Sequence, residues 1–124
     1  MPITRLDHVN LRTAQLDVMI AWYTDVLGLR LGARPDFGFP GAWLYAEDRA
    51  VVHLVAVPDP AGAGSEGALK LEHFAFTATG APEFAARIEA SGTAFKRVEV
   101  AATGLVAFNL WDPDGNHIHV DFAP

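Results

Sequence analysis

A chain of 124 residues that is 51% hydrophobic and 19% charged is long enough for one compact domain with a sizeable core, and too apolar to be disordered. Nine Lys and Arg against 15 Asp and Glu leave a net charge of −6, which argues against a nucleic-acid or anionic-membrane surface and makes a small molecule the expected partner. With no cysteine there is neither a disulfide nor a thiolate site, so a metal would have to be held by histidine, carboxylate or backbone oxygen. The opening MPITRLDHVNL lacks the basic, apolar, small-residue order of a signal peptide, and no apolar run approaches the ~20 residues of a membrane span. A soluble cytoplasmic protein is expected.

In chain order, LDHVNL (6–11) reads as a strand with His8 and Asn10 on one face and Asp7, Val9 and Leu11 on the other. A helix is predicted over 15–27, with Leu16, Ile20, Tyr23 and Leu27 as its buried stripe and Gly28 as its stop. Strands are predicted over 29–33, 43–46 and 50–57, the last two joined by the EDR turn. Before that turn, RPDFGFPGAWLY (34–45) gathers Phe37, Phe39, Trp43 and Tyr45 among Gly and Pro, the makeup of a loop that closes an apolar wall over a cavity or packs an interface. PDPAGAGSEG (58–67) reads as a linker. The same order then recurs. A strand at LEHFAF is followed by a helix with Pro82 in its first turn, Phe84 and Ile88 on its buried face and Gly92 as its stop, and by strands over 94–100, 105–111 and 116–122 with DPDG between the last two.

The recurrence is visible in the letters. LDHVNL has a near copy, LEHFAF, 65 residues on, and AVVHLV displaced by 66 lands on NHIHVD with His53 on His119 and Asp48 on Asp114. Each half is therefore expected to be β-α-β-β-β, giving an α+β fold of two modules, 1–57 and 68–124, within a single domain.

In GNHIHVDF, strand alternation aims His117, His119 and Asp121 one way and Ile118, Val120 and Phe122 the other. His8, His53, His73 and His119 hold equivalent places in the repeat. Were the halves to pair about a local twofold, these four imidazoles would converge as nitrogen ligands of one metal. His117 matches Val51 and Asp121 matches Val55, so both are placed behind the ligands: His117 at a cavity rim, Asp121 accepting a ligand's second ring N–H or simply solvated. Asn10 and Arg12 follow His8 on its face and are expected to touch substrate oxygens, beside Phe39, Trp43 and Tyr45. Asp7 and Glu72 flank candidate ligands but are expected to point to the opposite face. No catalytic base is identified.

Through DHVNL, WYTDVLGLRL, VVHLV, LEHFAF and DPDGNHIHV the chain resembles, over essentially its whole length, the vicinal oxygen chelate superfamily, the group of glyoxalases, bleomycin-resistance proteins and extradiol dioxygenases. The resemblance implies paired βαβββ modules forming a cup-shaped mixed sheet around a divalent metal (Fe, Ni, Zn, Co or Mn) held by His8, His53, His73 and His119. It implies a small-molecule substrate with vicinal oxygens and either dioxygenase-like or lyase/isomerase chemistry. It also implies a homodimer in which module one of one chain completes a cup with module two of the other. One departure stands out: the last ligand is usually glutamate, which in glyoxalase-like members also serves as base. With His119 there, the metal keeps its full +2 charge and favours an anionic bidentate oxygen ligand such as an enediolate or catecholate. The alternative is a metal-free binding protein of the bleomycin-resistance type, using the same cup as an apolar pocket.

Overall fold

The computed structural model describes residues 2–58 and 70–124; the expected linker, 58–67, lies outside them apart from Pro58. The chain divides into two compact units, Met1–Ala61 and Gly62–Pro124. The first runs β1 (Val9–Thr13), α1 (Leu16–Asp25), β2 (Arg30–Gly32), β3 (Gly41–Ala46), β4 (Arg49–Ala56), and its sheet has the order β1-β4-β3-β2. The second runs β5 (His73–Ala78), α2 (Ala81–Ser91), β6 (Phe95–Val100), β7 (Leu105–Trp111), β8 (His117–Phe122), and its sheet has the matching order β5-β8-β7-β6. In both, the first strand lies parallel to the last and the remaining pairs are antiparallel. Each is thus a βαβββ module, and the chain has the expected α+β fold.

The helices end where the sequence places their glycines. At α1, Gly28 takes φ 76°, and the Leu29 amide reaches back to the Tyr23 carbonyl, closing orphan carbonyls that would otherwise be buried unpaired. The buried stripe of α1 is Met19 and Tyr23, continued by Val26 at its C-terminal cap and rotated from the expected one; Leu16, Ile20 and Leu27 are half-buried on its flank. The reason is that residues 18–23 are apolar throughout, so periodicity alone leaves the face undetermined. On α2, Phe84 and Ile88 are the buried pair, as predicted.

Alternation separates the two faces of each sheet. In module one Ala42, Leu44, Val52 and Leu54 are buried on the face that takes α1. In module two Phe108, Leu110, Ile118, Val120 and Phe122 form the core, with the Phe84 ring set against Phe108 and Phe122 at 5.5 Å. Apart from Thr13, which is fully buried, the polar residues of β1, β4, β5 and β8 fall on the opposite faces.

Candidate functional site

In module one the parallel pairing of β1 with β4 brings Asn10 level with His53, and β3 places Trp43 on the other side of His53. His8 sits one residue before β1 rather than in it, yet its ring stacks on His53 at 3.8 Å. Trp43 stacks on the same imidazole at 4.1 Å. The His53 imidazole is therefore held between a second imidazole and an indole.

Around this stack lies an open groove of two lobes. One, about 170 Å³, is lined by Asn10, Arg34, Phe37, Phe39, Trp43, His53, Leu54 and Val55. The other, about 600 Å³, is lined by Asp7, His8, Phe37, Trp43, Tyr45, Asp48, Arg49, Ala50 and His53. Phe37 and Phe39 stack on each other at 5.6 Å, with the Arg34 guanidinium 5.0 and 5.1 Å from their ring centres. Trp43 and Tyr45 belong to β3 rather than to the preceding loop. Tyr45 also has a structural task. Its hydroxyl donates to the Ala33 carbonyl, and its ring lies over Gly32, where a Cβ would come within 2.6 Å of it. Arg12 is exposed, two residues beyond Asn10 on the same face.

Module two gathers three imidazoles. The register pairs His73 with His117 and Ala75 with His119 across β5 and β8. His73 stacks on His119 at 4.0 Å, and His117 is 5.3 Å from His73 and 4.8 Å from His119 between ring centres. One ring nitrogen from each lies within 4.8 Å of the others. The strand that carries two of them is aimed by its turn. Asp112, buried, accepts from the amides of Asp114 and Asn116 and from the Asn116 side chain, and Gly115 takes φ 86°, so β8 starts at His117.

Hydrogen bonds assign the ring protons of four imidazoles in their neutral forms. A carboxylate and a carbonyl only accept, so the partner nitrogen must carry the hydrogen. Asp7 Oδ1 takes Nδ1–H of His8 at 2.7 Å and Glu72 Oε1 takes Nδ1–H of His73 at 2.9 Å, leaving Nε2 as the basic nitrogen of each. The expectation that Asp7 and Glu72 turn away from the histidines is thereby corrected: each folds back onto its neighbour because both lie before the paired strand begins, where the chain is not held to strict alternation. His53 donates from Nε2 to the Ala50 carbonyl at 3.2 Å, which leaves Nδ1. Asn109 donates from Nδ2 to the Lys96 carbonyl, so its Oδ1 faces His117 and accepts Nε2–H at 2.9 Å; His117 too is left with Nδ1.

Burial lowers the pKa of His53, with the neighbouring His8 adding to the effect. Burial likewise lowers that of His119, helped by His73 and His117. Both imidazoles are thus neutral near pH 7, the state a metal ligand needs. Asp121 lies beyond His119 on the same face, and its Oδ1 is buried with no hydrogen-bond partner among the described residues. The structure thus brings together His8 with His53, and His73 with His117 and His119.

Sequence reading missed two of these contributors. Asn109 is the one polar residue of LVAFNLW, a signal in itself, and Arg34 is the one cation of an aromatic loop.

The chain and its fold match a known group. Residues 5–120 fit the model of the Glyoxalase/Bleomycin resistance protein/Dioxygenase superfamily, and the chain belongs to that family. Among solved structures it is similar to a glyoxylase/bleomycin resistance protein/dioxygenase domain from Frankia sp. EAN1pec, with TM-score 0.80 and 18% identity over 99% of this chain and 94% of that one. A lactoylglutathione lyase from Agrobacterium tumefaciens gives 0.71 and 20% over 98% and 96%. The genomically encoded fosfomycin resistance protein FosX from Listeria monocytogenes gives 0.74 and 13% over 99% and 96%. At these identities the likeness is one of fold. No curated protein sequence matches significantly.

Proposed function

We propose that this protein is a divalent-metal-dependent enzyme that acts on a small molecule bearing vicinal oxygens, with His8, His53, His73 and His119 as the metal ligands. The observation that carries this reading is the clustering of imidazoles at matching places of both modules, each cluster including one histidine whose pKa is lowered. Nitrogen donors of this kind suit a borderline ion such as Fe, Ni, Zn, Co or Mn in its divalent state. When bound, the metal supplies Lewis acidity and a template for two neighbouring oxygens.

The chain's own residues do the rest. Asp7 and Glu72 hold His8 and His73 in one tautomer, so that Nε2 is the donor atom of both. Asn10 and Arg34 offer polar contacts to substrate oxygens at the mouth of the groove, while Phe37, Phe39 and Trp43 wall it against water. Lyase/isomerase chemistry is in keeping with the lactoylglutathione lyase of the same fold, and dioxygenase-like chemistry with the family's name. A homodimer is the expected assembly.

Metal content of the purified protein, and its melting temperature with and without added Fe, Ni, Co, Mn or Zn, test the reading. One equivalent of bound transition metal and a raised melting temperature are expected. Absence of both leaves the metal-free binding protein as the function. Oxygen uptake with catechols, against turnover of α-ketoaldehyde adducts, then separates the two chemistries.

A further inference from the structure

Arg34 carries a charge that nothing around it answers. The chain has 15 acidic residues against nine Lys and Arg, yet no carboxylate among the described residues pairs with this half-buried guanidinium. Asp36, two positions on, accepts instead from the Gly38 amide at 2.9 Å. The head group is nevertheless held in place. One of its N–H groups donates to the Phe39 carbonyl at 3.2 Å, the ring centres of Phe37 and Phe39 lie 5.0 and 5.1 Å from it, and it rests so close over Gly41 that a Cβ there would come within 2.8 Å of Nη2. A cation set among rings without a counter-charge is costly, and its remaining N–H groups are left to the groove.

The lobe that Arg34 borders is otherwise apolar: Phe37, Phe39, Trp43, Leu54 and Val55 line it, with Asn10 and His53. Its volume of about 170 Å³ is close to the ~150 Å³ of an apolar cavity that admits one benzene, so it has room for a single ring. A flat anion suits both features, because the planar fork of a guanidinium meets the two oxygens of a carboxylate in parallel N–H···O bonds. We propose that Arg34 sets the specificity of this groove and that the substrate is a ring-sized organic acid. Its carboxylate sits on Arg34, its flat apolar body lies among Phe37, Phe39 and Trp43, and its vicinal oxygens face His53. Only the vicinal oxygens rest on the metal-dependent reading above; the carboxylate and the ring follow from the lobe itself. A cationic substrate is refused by the like charge of Arg34.

Benzoate, its neutral isostere benzamide, and acetate, titrated into the isotope-labelled full chain as purified, test the proposal. Benzoate is expected to shift the nuclear magnetic resonance signals of the Trp43 indole N–H and the Gly41 amide. It should bind about tenfold more tightly than benzamide, the margin of one charge-assisted hydrogen-bonded contact, and that margin should shrink as salt is raised. Acetate, which lacks the ring, is expected to bind more weakly than either. Arg34→Gln is expected to erase the margin while leaving benzamide binding and the melting temperature as they were, which shows that the groove is intact. Arg34→Lys, a charge without the fork, should keep part of it. No benzoate binding, equal affinity for benzoate and benzamide, acetate binding as tight as that of benzoate, or a margin that survives Arg34→Gln overturns the proposal, whatever the metal content. An Arg34-dependent preference for benzoate in protein that takes up no transition metal would instead refute the metal-dependent reading and leave this one standing.

Discussion

Opposite His53, on the neighbouring strand, stands Trp43; opposite His119, at the same place in the other module, stands Asn109. The same backbone thus presents an indole in one module and an amide in the other. Around Trp43 the inner face of module one becomes aromatic, with Phe37 6.2 Å from the indole and an open groove beside it. Around Asn109 the corresponding face of module two becomes polar, with His117 and Asp121 where module one has Val51 and Val55. The repeated fold has let the two copies diverge: one exposes an aromatic surface beside its histidines, the other a cluster of imidazole nitrogens and a carboxylate.

The sharpest way to test that divergence is to remove one imidazole at a time. His119→Ala is expected to lose most of the bound metal and activity. His117→Ala is expected to retain a stoichiometric metal, by atomic absorption after dialysis. Equal retention in the two variants would mean that the repeat position says nothing about ligation.

Next in size are the cores. Leu44→Ala and Leu110→Ala each empty a fully buried site, at a cost of about 2–5 kcal/mol. Amide exchange should show Leu44→Ala exposing β1 to β4 more than β5 to β8, and Leu110→Ala the converse, because each module packs its own core. Identical exchange patterns would make the modules one cooperative body.

Trp43→Leu sharpens the aromatic half of the comparison. It removes the stack on His53, worth about 0.5–1.5 kcal/mol beyond its area, and opens the groove wall. A raised KM with metal content unchanged is expected, and metal loss would show that the indole serves the ligand instead.

The smallest effect is in pH. His53 and His119 stay neutral in the fold at pH values where the unfolded chain, with its ordinary histidine pKa of 6.5, takes up protons. The unfolded state therefore binds more protons across that window. Stability of the metal-free protein is full above pH 6.5 and falls as pH drops through the lowered values, readable as a shift in urea midpoint. His53→Gln and His119→Gln should each remove part of the slope.

Much of this was legible in the letters, for a physical reason. The repeat, the strand alternation of HIHVDF and the helix-ending glycines are local patterns, and local patterns survive in sequence. The face of α1 was not, since residues 18–23 are apolar on every side and only the sheet beneath decides which are buried. Nor was the turn of Asp7 and Glu72 onto their neighbours, because alternation governs a paired strand and both residues precede theirs. The relay through Asn109 joins β6, β7 and β8, and no spacing within one segment announces it.

In each module the first strand is parallel to the last, so the strands that meet are the pair farthest apart in the chain. His73 and His119, 46 positions apart by their numbering, touch only once α2, β6 and β7 have been threaded between them. Closing so long a loop is slow and comes late in folding, after the local hairpins. A ligand spanning those two imidazoles would act on a contact absent from the folding transition state. It would leave the rate of folding nearly unchanged and lengthen the lifetime of the folded chain. Resistance to proteolysis, rather than speed of refolding, is the property that such a clasp would confer.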